Sequence, residues 1–100
     1  MEEQIAELKK EHGTIYTLEV NSEKGELLTV YLKDLDRKIY KSCSALIQKD
    51  EMLGVEALLK NLWVGGDKVE LITGDFKALR SAGTAILPIL EVEAGELKKN

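Results

Sequence analysis

A chain of 100 residues, 44% apolar and 32% charged, has the make-up of one globular domain that can bury a core without disulfides or a structural metal. Its net charge of −4 is spread along the chain and argues against a nucleic-acid partner, which calls for a basic face. The acidic start Met1-Glu2-Glu3-Gln4 is unlike a signal peptide, no run reaches the roughly 20 apolar residues of a membrane span, and the single Cys43 cannot form an internal disulfide. A cytoplasmic protein is therefore expected.

Glu2 to Glu11 favours helix by composition, but Ile5 and Leu8 are its only large apolar side chains. A short, loosely attached helix over residues 1–12, ended by Gly13, is predicted. The period then changes to two. Tyr16, Leu18 and Val20 alternate with Ile15, Thr17 and Glu19, as in a half-buried strand. A polar turn with Gly25 at a positive-φ position leads to a second strand. There Leu28, Val30 and Leu32 share one face, and Leu27, Thr29 and Tyr31 the other. These strands form an antiparallel hairpin.

A lone hairpin is marginal, so helices must cover its apolar face. Asp34 or Asp36 can cap a helix whose apolar side carries Leu35, Ile39, Cys43, Leu46 and Ile47. Asp50 can cap a second, with Met52, Val55, Leu58, Leu59 and Leu62 at helical steps. Gly54 weakens that helix somewhat, and Gly65-Gly66 stops it and reverses the chain. Residues 67–74 are ambiguous: Val69, Leu71 and Ile72 suit either a short strand or an anchored loop. Asp75 caps a third core helix with Phe76, Leu79, Ala82, Gly83, Ile86 and Leu90 on one face, interrupted at Pro88. Glu91 to Lys99 reads as a helical tail. The expected architecture is a single α+β domain over residues 1–100, an N-terminal antiparallel β-hairpin packed against three to four α-helices.

Chemistry-bearing residues are few. His12 is the only histidine and sits where a helix ends, so it suits the negative pole of the helix dipole better than catalysis. Cys43 takes an apolar helix position far in sequence from any base, which fits a buried small hydrophobe better than a nucleophile. Glu91, Glu93 and Glu96 read as solvated positions, not a working carboxylate pair. Gly65-Gly66-Asp67-Lys68 lacks the longer glycine loop and Lys-Ser/Thr of a phosphate-binding loop. No catalytic, metal or cofactor residue is expected, and the chain reads as a non-enzymatic protein-binding domain. Trp63 is either core or a partly exposed anchor, a role in which Trp is over-represented.

Three stretches bear a resemblance to a known family. They are Val30-Tyr31-Leu32-Lys33-Asp34-Leu35-Asp36-Arg37-Lys38, Leu58-Leu59-Lys60-Asn61-Leu62-Trp63-Val64-Gly65-Gly66-Asp67 and Ile89-Leu90-Glu91-Val92-Glu93-Ala94-Gly95-Glu96-Leu97-Lys98-Lys99. In order and spacing they resemble small proteins of tailed-phage and prophage structural clusters, of the tail assembly chaperone kind. That resemblance implies a non-enzymatic assembly factor in the host bacterial cytoplasm. It would hold the apolar helical tape-measure protein until tail-tube subunits displace it. Leu59, Trp63, Val64, Phe76 and Ile86 are the candidate contact residues on this reading, and several amphipathic helices leave room for a homo-oligomer. A structural subunit of the virion, such as a connector or tail-completion protein, is the alternative, and a small enzyme with an unfamiliar site a more remote one.

Overall fold

A computed structural model describes residues 2–90, and the tail at 91–100 lies outside the described residues. The elements in chain order are α1 (Glu2–His12), β1 (Ile15–Asn21), β2 (Leu27–Lys33), α2 (Arg37–Lys49), α3 (Glu51–Leu62), β3 (Trp63–Gly66), α4 (Glu70–Thr73) and α5 (Phe76–Ile86). A 3₁₀ turn, Leu87–Leu90, follows α5. The α+β class, with a hairpin under helices, is as expected. The sheet, however, has three strands in the order β1-β2-β3.

The hairpin turn is built by its own polar residues. Ser22 N–H donates to the Glu26 carbonyl, Gly25 N–H donates to the Ser22 carbonyl, and the Ser22 hydroxyl accepts from Glu26 N–H at 3.1 Å. Gly25 takes φ +85°, a left-handed conformation open chiefly to glycine. In this register Leu18 faces Val30 and Val20 faces Leu28. Their side chains fall on one side of the sheet and are buried.

Each long helix on the core side starts at an aspartate. Asp36, not Asp34, caps α2, accepting from Ile39 N–H at 2.7 Å. Asp50 accepts from Leu53 N–H to open α3, and Asp75 from Ala78 N–H to open α5. Short polar side chains at this position satisfy N–H groups that a helix cannot satisfy itself. Asp34 instead accepts from the N–H of Leu35 at 2.8 Å.

Helix α5 packs on β1, and α3 lies against both β2 and α5. Between them lie Val55, Leu58, Leu59, Leu62, Ile72, Ala78, Leu79, Ala82 and Ile86, with Cys43 contributed by α2. Burying a Leu or Ile of this kind contributes roughly 1.5–3 kcal/mol. Gly54 is the point where α2 and α3 meet. A Cβ there would come within 2.6 and 2.7 Å of the backbone N and Cα of Ile47, so the glycine admits a close crossing that outweighs its poor helix propensity.

Part of the opposite sheet face is covered by α1. A Cβ on Gly65 would lie 3.1 Å from Gln4 Nε2, 3.4 Å from Leu8 Cδ1 and 3.6 Å from the Tyr31 ring, so helix, strand and ring converge there. Tyr31 is thereby buried. The helix ends at Gly13, whose N–H donates to the Lys9 carbonyl with φ +81°.

Two expectations need correction. The Gly65-Gly66 segment is not a simple helix stop: α3 ends at Leu62, and the next four residues form β3 against β2. Its ladder runs Tyr31↔Gly65 then Leu32↔Trp63, so Val64 is a bulge. Gly66 takes φ +88°, and a Cβ on it would stand 2.5 Å from the Thr29 carbonyl oxygen. The glycines thus serve close strand pairing. The ambiguous stretch resolves as neither strand nor loop: Glu70–Thr73 is a one-turn helix that buries Ile72 and, just ahead of it, Val69.

Candidate protein-binding surface

The five candidate contact residues are not one surface. Leu59 and Ile86 are 0% and 1% exposed, so both belong to the core and neither can meet a partner. Their helical spacing marked them as apolar without saying which way the stripe faced. Phe76 was read onto the same helix face as Ile86, yet it is 62% exposed. It is the first residue of α5. Trp63 is 37% exposed and Val64 half-buried, both on the short edge strand β3.

Asp67 holds the Trp63 end of the molecule together. The indole Nε1–H donates to its backbone carbonyl at 2.9 Å. Its backbone N–H donates to the Thr29 carbonyl, and its carboxylate accepts from Thr29 N–H, each at 2.8 Å. The side chain therefore continues the sheet ladder by one more rung. Trp63 is fixed by these bonds in a part-exposed pose, with its polar edge engaged and part of the ring open.

At the other end of β2, Leu27 is 57% exposed on the outer sheet face. With Gln4, Thr29, Tyr31, Gly66 and Asp67 it lines an open groove of about 440 Å³.

A second exposed apolar group surrounds the hairpin turn. Asp75 accepts from Ala78 N–H with one carboxylate oxygen and from Glu23 N–H, at 3.1 Å, with the other. The two bonds, Ala78 first and Glu23 next, hold its carboxyl below the usual range. The start of α5 is thus tied to the turn. On one side of the tie Phe76 lines a cleft of about 330 Å³ with Glu23, Lys77, Arg80, Ser81 and Thr84. The Arg80 guanidinium stands 5.6 Å from the Phe76 ring centroid, within cation–π range. On the other side Leu71, 50% exposed, lines a cleft of about 260 Å³ with Lys24, Leu28 and Asp75. Trp63 and Val64 line neither cleft.

Sequence reasoning missed Leu27 and Leu71. Leu27 lies on the face that the alternation assigned away from the core, which was a signal in plain view. Leu71 had none, because a one-turn helix has no readable period.

Of the residues weighed for chemistry, His12 and Cys43 line none of these clefts, whereas Gly66 and Asp67 line the groove beside Leu27. His12 ends α1, with Nε2 3.6 Å from the Glu11 carboxylate. Cys43 is fully buried, and desolvation pushes its thiol pKa up, away from the thiolate a nucleophile needs. Among the described residues no group of His, Cys, Asp and Glu is placed to hold a metal, and no helix is long and apolar enough to cross a membrane. Compared with known protein families, characterised proteins and solved structures, the chain matches none.

Proposed function

We propose that this chain is a non-enzymatic protein-binding domain that holds an apolar helical segment of a partner, in the manner of a phage tail assembly chaperone. The observation that carries the binding half is the pair Phe76 and Leu71. Both are half or more exposed, on either side of a turn locked by Asp75 and Glu23. Large apolar side chains kept in water on an ordered support suit an anchor that meets a partner without first ordering itself. Lys77 and Arg80 beside Phe76 favour a partner segment carrying acidic residues among its apolar ones.

The assembly half of the proposal rests on the resemblance of the three stretches named above. A tape-measure helix presents apolar side chains at three- and four-residue steps, which short clefts with one aromatic and one aliphatic anchor would accept. Release to the tail tube requires modest affinity, and shallow, open clefts support that.

Titration with synthetic helical peptides from a tape-measure protein tests both halves, with calorimetry as the readout. Binding weakened by Phe76→Ala and by Leu71→Ser supports the proposal. Binding of no such peptide by the folded protein overturns the chaperone role. Retention of the chain in purified particles would favour a virion subunit instead.

A further inference from the structure

The sheet has two unlike edges. β3 is four residues long, bulged at Val64 and half glycine, features that keep an edge strand from recruiting another chain. β1, at the other edge, runs seven residues without proline, lysine or bulge. Among the described residues nothing pairs with its outer side.

The direction of its backbone groups follows from the ladder. Thr29 uses its N–H and carbonyl on Asp67, toward β3. Alternate residues of a strand send these groups to opposite sides. Those of Leu28, Val30 and Leu32 therefore face β1, where they meet Val20, Leu18 and Tyr16. Ile15, Thr17, Glu19 and Asn21 are left with N–H and carbonyl groups directed away from the sheet.

We propose that two copies of this chain pair antiparallel along β1, about a two-fold axis at Leu18, joining two three-stranded sheets into one. In that register Thr17 exchanges both hydrogen bonds with Glu19 of the second copy, and Ile15 does so with Asn21. All seven strand residues find a partner. On the core-side face Leu18 meets Leu18, and Tyr16, 39% exposed in the single chain, comes over Val20. No like charges oppose one another, whereas an axis at Glu19 would set two carboxylates face to face.

Sedimentation of the full chain over a wide concentration range tests the pairing. A reversible doubling of mass is expected. Thr17→Pro removes an N–H that the single chain does not use, so circular dichroism should be retained while dimer affinity falls about tenfold or more. Thr17→Cys protein mixed with Glu19→Cys protein should cross-link on mild oxidation faster than either does with itself. A directly bonded pair lies about 5.5 Å apart at Cα, within disulfide range, and a diagonal pair does not. A chain that stays monomeric overturns the proposal and leaves the edge to an extended segment of another protein. A dimer indifferent to Thr17→Pro, with no preferred Thr17–Glu19 cross-link, also overturns it.

Discussion

The carboxylate of Asp75 accepts the backbone N–H of Glu23 across 52 positions of sequence, at 3.1 Å, while it caps α5 through Ala78. One side chain thus closes a helix start and fastens a hairpin turn to it. Asp36 and Asp50 cap their helices without any such second bond among the described residues.

Asp75→Ala should therefore lower the thermal midpoint more than Asp36→Ala does, as circular dichroism melts of the two variants would show. The pH dependence has a definite sign. A carboxyl whose folded pKa is depressed contributes its full stabilisation above the ordinary carboxylate pKa and loses it as pH falls through the folded value. The gap in midpoint between the native chain and Asp75→Asn should hold steady from neutral pH to about 5 and narrow below about 4. A gap that widens in acid would contradict the assignment.

Two glycines with similar positive φ should respond differently to alanine. Gly25 has open space around it, so Gly25→Ala carries only the left-handed penalty of about 1–2 kcal/mol. At Gly66 the same substitution also drives a methyl to 2.5 Å from the Thr29 carbonyl oxygen and 2.9 Å from Val30 Cα. Urea unfolding should place Gly66→Ala lower, by roughly 3 kcal/mol or more in total.

Leu59 and Phe76 test the division between core and surface. Leu59→Ala should cost about 2–5 kcal/mol, the range for an aliphatic deleted from a packed interior. Phe76→Ala should cost under about 1 kcal/mol, mainly its contact with Arg80. Only the second should weaken a partner that the first, where still folded, continues to bind. Chemical denaturation and peptide titration on the same samples separate the two effects.

Cys43 should resist thiol reagents in the native state. It is fully buried, and its pKa is raised by desolvation. Labelling by a disulfide reagent should proceed only as fast as the chain opens, accelerating sharply in denaturant. Rapid labelling at neutral pH without denaturant would show that α2 moves away from the core.

Much of the fold was legible along the chain because its signals are local. The alternation through Leu18, Val20, Leu28, Val30 and Leu32, with Gly25 between, marks a hairpin by side-chain period and turn chemistry. Asp50 and Asp75 announce helix starts because a cap acts within three residues of itself. What lay between Trp63 and Gly74 was not legible. A four-residue strand and a one-turn helix are too short to show a period, and their stability comes from β2 and the core.

The candidate surface was legible only in part. Apolar spacing put Phe76 and Ile86 on one face of a helix, yet the fold buries Ile86 and exposes Phe76. Period reports that residues share a stripe; only packing decides how much of the stripe is covered. By itself the sequence determined the α+β class, the hairpin and the starts of the core helices, since each depends on neighbours within a few positions. The tertiary structure decided the third strand, the Asp75–Glu23 tie and which apolar side chains meet water. Those depend on groups brought together from distant parts of the chain, and no local pattern records such meetings.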